Sequence, residues 1–401
     1  MKPDQPTRPT TSGRAGSKAV TAVGIDQPLA AGFGPFDGRV WLNTAHQGPL
    51  PAIAADAGRA ALAAKQAPHR IPDSAFGELP ARLRSVLAQL VNVAADDVIL
   101  GDSASHGLHL LARGLNWQPG DEVLALEGDY PATVLPWLAL TGRGVHTRLL
   151  PASDSDLTPD ALAQAFGPQT QVVALSWVNS FTGRALDIPA LAQTCQAAGV
   201  LLAVNASHAI GARIVDLARA GADAVTCTGY KWLCGPYGTG FSWIRPELRE
   251  QLREPPAYWL AHQAGRPLDQ MRSYQLRTDL GARAWDRFCP ADFLDNAPWT
   301  AAIELLADAG IPAIERHDQA LVQRLLDQVD LDYYQLLSPS QEPTRSTLVV
   351  LRPRRENPAT VHARLSAAGI DAALREGCVR LSPHLHNTAA DIDRAADALN
   401  Q

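Results

Sequence analysis

One lysine sits where an amine could act as a nucleophile. Lys231 lies in Thr226-Cys-Thr-Gly-Tyr-Lys-Trp-Leu-Cys-Gly-Pro-Tyr-Gly-Thr-Gly-Phe241, between the apolar run Ala222-Asp-Ala-Val-Thr-Cys and a glycine-rich turn. The other lysines are Lys2, Lys18 and Lys65, and beyond residue 66 arginine and histidine carry every other positive charge. An amine held at a strand end, beside a glycine-rich turn, is suited to attack a carbonyl. The plainer alternative is a surface lysine at a turn. Two other loops carry polar groups after apolar runs. Ser103-Ala-Ser105 opens a helix, so its backbone N–H groups either hold an anion or form an ordinary capped start. Val204-Asn-Ala-Ser-His-Ala-Ile-Gly-Ala-Arg213 follows a buried run, and Asn205 and His208 either face a ligand or tie the loop together.

The elements that would position these residues alternate. Strands are expected at 97–101, 121–126, 145–150, 171–178, 200–204, 222–226 and 240–244. Helices are expected at 51–66, 80–91, from about 107, and at 131–141, 158–166, 189–198 and 214–221. Strand-helix alternation of this length implies an α/β fold with a mostly parallel, doubly wound sheet. Ligands of such sheets bind beyond the carboxyl ends of the strands, where all three loops fall. Residues 249–290 read as active-site and subunit-interface loops, in which Arg272, Arg277 and Arg283 either meet a second carboxylate or face solvent. A second, smaller αβαβα domain follows, with helices at 297–309, 317–329, 358–368 and 388–399 and strands at 346–352 and 379–382. The expected division is a disordered tail (1–24), a segment lining the site (25–50), a large domain (51–290) and a small C-terminal domain (291–401).

Composition narrows the function. The chain has 401 residues, 46% hydrophobic and 19% charged, with net charge -6, and it carries no basic stripe that would attract nucleic acid. No apolar run is long enough to span a bilayer, and the first residues lack the apolar core of a secretory signal. Five scattered cysteines form no C-x-x-C pair, so neither a zinc site nor a disulfide framework is indicated. A reducing, cytoplasmic location is the expectation, with no metal.

The stretch Asn179 to Phe241, with Val379-Arg-Leu-Ser-Pro-His-Leu-His-Asn-Thr, resembles the class V aminotransferase-like branch of fold type I pyridoxal-phosphate (PLP) enzymes. That branch includes isopenicillin N epimerase-like proteins, cysteine desulfurases and kynureninase. The likeness extends over roughly residues 40 to 400. It implies a homodimer, a large domain on a mostly parallel seven-stranded sheet and a smaller α+β C-terminal domain. It also implies PLP held as a Schiff base on Lys231, and an amino-acid substrate deprotonated at its α-carbon by that lysine. Epimerisation, amino transfer or β-elimination would follow. By the same resemblance Tyr130 would stack on the pyridine ring. Ala104, Ser105, Thr228 and Tyr230 would hold the phosphate, and Asn179 and His208 would approach the ring oxygen. Arg380 would clamp the substrate carboxylate, a task suited to a guanidinium. Asn43 and His46 would line the substrate pocket, with His46 either a catalytic group or a turn histidine.

This sequence departs from the family pattern in two places. Asn205 stands where the family carries an aspartate that keeps the pyridine nitrogen protonated. A neutral amide supplies no such charge, and each unit lost from that nitrogen's pKa is about 1.4 kcal/mol of stabilisation. Transamination suffers more from this than elimination or reprotonation. The position is a natural specialisation, an engineered substitution or the mark of a protein that binds PLP without turnover. Where a Gly-Thr pair often reaches the neighbouring subunit's phosphate, this chain reads Cys289-Pro290. A proline there removes a backbone donor. Cys378, two residues before Arg380, follows a loop too short to swing a thiol into the site. A buried structural thiol is expected, and that weakens a desulfurase reading.

Overall fold

A computed structural model describes residues 32–151, 157–253, 255–263, 270–272 and 274–401. The expected disordered tail, residues 1–24, lies outside the described residues.

In chain order, β1 (Val40–Trp41) leads to α1 (Ala52–Gln66), α2 (Ala75–Val91), β2 (Val98–Gly101), α3 (Ala104–Gly114), β3 (Glu122–Leu126), α4 (Pro131–Leu138) and β4 (His146–Leu150). Then come α5 (Pro159–Ala165), β5 (Thr170–Ser176), α6 (Ile188–Ala198), β6 (Leu201–Asn205), α7 (Leu217–Ala220), β7 (Ala224–Thr228) and β8 (Gly240–Ile244). Short helices α8 (Pro246–Arg249) and α9 (Trp259–Gln263) precede the long helices α10 (Phe293–Ala309) and α11 (Ile311–Gln328). The chain ends with β9 (Tyr334–Leu336), β10 (Val349–Pro353), α12 (Pro358–Ala367), β11 (Ile370–Asp371), β12 (Ala373–Arg375), β13 (Cys378–Leu381) and α13 (Ala389–Leu399).

Seven strands form one sheet in the order β2-β8-β7-β6-β5-β3-β4, and only β8 runs antiparallel to its neighbours. The inner strands are unbroken apolar runs because helices cover both faces, as in Val172, Val173, Ala174 and Leu175 of β5. Side-chain caps begin several of the crossover helices: Thr158 for α5 and Asp187 for α6 each accept the N–H three residues on. From β3 the chain steps outward to β4, then returns to build β5, β6 and β7 on the other side, so the order reverses between β3 and β5 and the strand ends open a crevice there.

The second sheet has four antiparallel strands, β12-β13-β10-β9, and β1 pairs in parallel with β11. Its core joins Leu321, Leu325, Val349, Leu351, Val379, Leu381 and Ile392 to Val40 and Leu42 from the start of the described chain. α10 instead lends Trp299, Ile303 and Leu306 to the core of the large sheet. Two helices run through prolines that mark their expected starts. α2 begins at Ala75 and contains Pro80, and the Phe76 gained at its start packs edge-on against Phe293 at 5.1 Å. α10 begins at Phe293 and contains Pro298, because Asp292 caps it by accepting the N–H groups of Leu294 and Asp295. Strands β9, β11 and β12 were not anticipated; each has three residues or fewer, too short to show a period.

Candidate active site

Lys231 follows β7 in a loop that the backbone pins on every side. Gly229 N–H donates to the Thr239 carbonyl, Cys234 N–H to the Lys231 carbonyl, and Gly48 N–H to the Tyr230 carbonyl. Glycine is needed at Gly48: a Cβ there would lie 1.9 Å from the Lys231 carbonyl oxygen. The chain before α1 is thereby pressed against the loop. The Lys231 side chain is 6% exposed. Burial, assisted by the positive charge of Arg380, brings its amine down from 10.5 to about 7. Its Nζ lies 5.2 Å from the centre of the Tyr130 ring.

His208 is fully enclosed beside it. The indole Nε1–H of Trp232 donates to His208 Nδ1 at 3.1 Å, and His208 Nε2 is 3.3 Å from Lys231 Nζ. Burial, then the charges of Lys231 and Arg380, hold the imidazole neutral well below its usual range. A neutral imidazole whose Nδ1 accepts must carry its proton on Nε2. That proton points at Lys231, and only an uncharged amine can accept it. The histidine tautomer and the depressed lysine therefore agree. Trp232 is braced in turn by the small domain: His384 Nε2 reaches the Trp232 carbonyl at 3.2 Å, and His384 Nδ1 meets Asp318 at 2.7 Å.

Asn205 ends β6 at 5% exposure. Its Oδ1 accepts the Ser207 N–H at 3.1 Å and its Nδ2 donates to Thr133 Oγ1 at 3.0 Å. The backbone donor fixes which end of the amide is oxygen. The remaining Nδ2 hydrogen offers a hydrogen bond without charge. Asn179 uses its Oδ1 on the N–H groups of Phe181 and Thr182 and its Nδ2 on the Gly128 carbonyl, so it builds the turn after β5. Tyr130 is 40% exposed and stacks on Phe181 at 6.5 Å.

Ser103 caps α3 by accepting the His106 N–H, so Ala104 and Ser105 occupy the first two helical positions with backbone donors facing outward. Thr226 Oγ1 donates to the Ala104 carbonyl at 2.7 Å and fastens this helix start to β7. Thr228 is buried, its N–H held by Ser207 Oγ. The Tyr230 ring lies 4.6 Å from Tyr237, and burial raises its phenol while Thr228 pulls the other way.

Arg380 projects from β13 at 4% exposure, with Nη1 donating to the Ser180 carbonyl at 3.0 Å. Burial lowers the guanidinium to about 10. Its Nε is buried with no partner among the described residues, as is Asn43 Oδ1. The segment carrying Asn43 and His46 is stitched beside Arg380: Ser382 N–H donates to the Leu42 carbonyl, and Ala45 N–H to Ser382 Oγ. His46 is exposed. Partial burial and then the charges of Arg375, Arg380 and Lys231 lower its imidazole.

The cluster has what PLP requires: a buried neutral amine, backbone donors at a helix start, and a buried guanidinium with an unspent N–H. Sequence reasoning passed over Thr133, Ser207, Trp232 and Arg375. Trp232 directly follows Lys231 and was the most readable of these; Thr133 is an ordinary residue inside α4. Of the three arginines expected near the site, Arg277 chelates Asp279 and Arg283 lines a separate hollow. That hollow, of about 830 Å³, lies between α2 and the residues Tyr258, Trp259, Leu260 and Met271, and is lined by none of the residues around Lys231.

Comparisons with known proteins bear on the family and the fold. An isopenicillin N epimerase of Streptomyces clavuligerus is 29% identical over 387 residues, covering 90% of this chain and 94% of that protein. A probable cysteine desulfurase of Methanothermobacter thermautotrophicus is 26% identical over 246 residues, 60% of this chain and 59% of that protein. A lysine-to-alanine variant of C-DES, with glycine covalently linked to its PLP cofactor, superposes with a TM-score of 0.84 at 21% identity, over 93% of this chain and 99% of that one. The same enzyme, described as a cystine C-S lyase in complex with cysteine persulfide, gives 0.81 at 22% identity, over 90% and 97%. Both superpositions speak for the fold. The family model for class V aminotransferases matches residues 73–395, which contain Lys231, His208 and Arg380, and the chain belongs to that family.

Proposed function

We propose that the protein is a PLP-dependent enzyme acting at the α-carbon of an amino acid, with Lys231 as attachment point and proton carrier. The observation that carries this is the buried Lys231 amine, brought down to about 7 by burial and held 3.3 Å from His208 Nε2. The donors at Ala104 and Ser105, with Thr228 and Tyr230, would hold the phosphate. Tyr130 would cover the ring, and Asn205 would meet its nitrogen. PLP, when bound, supplies an electron sink for the bond pair released at the α-carbon. Arg380 binds the substrate carboxylate through its unspent N–H groups, and Asn43 and His46 border the substrate. The Lys231 amine would remove the α-proton at Nζ and return it.

Incubation of the PLP-loaded protein with amino acids in deuterated water should exchange the α-hydrogen, and Lys231→Ala should abolish the exchange. Full turnover by Lys231→Ala would sink the reading.

Asn205 favours reactions that leave the deprotonated state quickly, so β-elimination is the second reading. Pyruvate released from β-chloroalanine would support it; chloroalanine recovered unchanged would count against it. A desulfurase is less favoured, because Cys378 is buried at the start of β13 and not on a mobile loop. We further propose a cytoplasmic homodimer whose contact face includes the apolar hollow around Tyr258, Trp259 and Pro290.

A further inference from the structure

We infer that Arg375 and Arg380 form a two-arginine face that selects an amino acid whose side chain ends in a second anionic group, with Arg375 binding that group. The inference rests on the reading of Arg380 as the α-carboxylate holder.

The register of the small sheet supplies the geometry. β12 and β13 are antiparallel, with Ala373 opposite Arg380 and Arg375 opposite Cys378. Directly opposed residues share a face, and so do residues two apart on a strand. Arg375 therefore projects on the same face as Arg380, one diagonal away, a backbone separation of about 7–8 Å. The opposite face, with Val379 and Leu381, is committed to the apolar core. The hairpin between the strands is Glu376-Gly377, both in the left-handed region with φ of 45° and 71°. Such a two-residue turn fixes register, and a slip of one residue would turn Val379 and Leu381 out of the core. Arg375 is thus held on the substrate side by the same packing that builds the domain.

Charge points the same way. Several surface arginines are matched with carboxylates: Arg39 with Asp371, Arg148 with Glu122, Arg324 with Asp393, and Arg364 with Glu356. Arg375 has no such partner among the described residues, and its guanidinium donates to the carbonyl of its own neighbour Leu374 at 2.9 Å. Its positive charge is felt inward, at His46, Lys231 and Arg380. Neither Arg375 nor Arg380 is ion-paired with a described carboxylate, and Arg380 Nε is buried and unspent. An amino acid with a neutral side chain brings one carboxylate and leaves Arg375 unmatched. A side chain ending in a carboxylate or comparable anion matches both. Arg375 is exposed, so solvent screening limits the preference to about tenfold.

The test is calorimetric titration of the PLP-loaded protein with glutarate and with pentanoate, unreactive acids of equal chain length that differ in the second charge. Glutarate should bind about tenfold more tightly than pentanoate. Arg375→Ala should bring the two together, leaving pentanoate within about twofold of its original affinity and the absorbance of the bound cofactor unchanged. Arg375→Lys should restore part of the preference, and Arg380→Ala should weaken both acids. Equal binding of the two acids by the unmodified protein, or a preference that survives Arg375→Ala, would overturn the inference while leaving Arg380 in its role. No binding of either acid, with Arg380→Ala indistinguishable from the parent, would overturn the role of Arg380 and the inference with it.

Discussion

Replacing Trp232 with phenylalanine should raise the pKa of the Lys231 amine by about one unit. In the native protein the Trp232 indole N–H occupies His208 Nδ1 and forces the imidazole proton onto Nε2, toward Lys231. A charged lysine would need Nε2 as an acceptor. The proton would then have to move to Nδ1, against the indole N–H, stranding a buried donor at a cost of about 1–3 kcal/mol. Phenylalanine removes that obstacle, and Nε2 becomes free to accept from the ammonium. About 1.4 kcal/mol of relief corresponds to one pKa unit. Burial and Arg380, the causes that lower the lysine most, remain in place. Phenylalanine also keeps an aromatic edge where Trp232 meets His384 at 5.1 Å. The assay is the pH dependence of PLP capture by the apo-protein, since only the free amine reacts. The native midpoint should fall at about 7, and the variant's about one unit higher. A midpoint that stays put or falls would refute the tautomer argument.

Three more outcomes follow from the same geometry. The unfolded chain carries a protonated Lys231 between pH 7 and 10.5 where the folded apo-protein does not, so this group makes folding stability rise with pH across that window. Urea unfolding of Lys231→Met should show a pH slope smaller by up to about 1.4 kcal/mol per unit. Asn205→Asp places a carboxylate where only the Ser207 N–H and the Thr133 hydroxyl can donate; thermal unfolding should show the apo-protein destabilised by about 2 kcal/mol, with much of the loss recovered on adding PLP. Asp318→Ala leaves His384 Nδ1 buried and unpartnered because Nε2–H is committed to the Trp232 carbonyl, so about 2 kcal/mol of stability should be lost; Asp318→Asn, which still donates to Nδ1, should lose less than half of that.

The large sheet was legible because its strands are buried on both faces. Runs such as Val172 to Leu175 and Leu202 to Val204 need no period to be recognised, and the capping Thr158 marked a helix start, whereas the cap at Asp187 went unread. The small sheet was less legible: β9 and β12 take their identity from pairing with β10 and β13, which no local pattern announces. The same holds within the site. Lys231 stood out because the chain spends so few lysines, and Asn205 because a polar residue closes a buried strand. Arg375 did not, since its place beside Arg380 follows from a hairpin register, and Thr133 did not, since its hydroxyl matters only once the fold brings it within 3.0 Å of Asn205. Asn179 was named only through the family resemblance, and its turn-building bonds to Phe181 and Thr182 become visible only in three dimensions.

The most direct test of the central claim is borohydride reduction of the PLP-loaded protein followed by peptide mapping. The account predicts one equivalent of cofactor fixed on the peptide carrying Lys231, with Lys65 unlabelled. Labelling spread to Lys65, or no fixed cofactor on the Lys231 peptide, would contradict it.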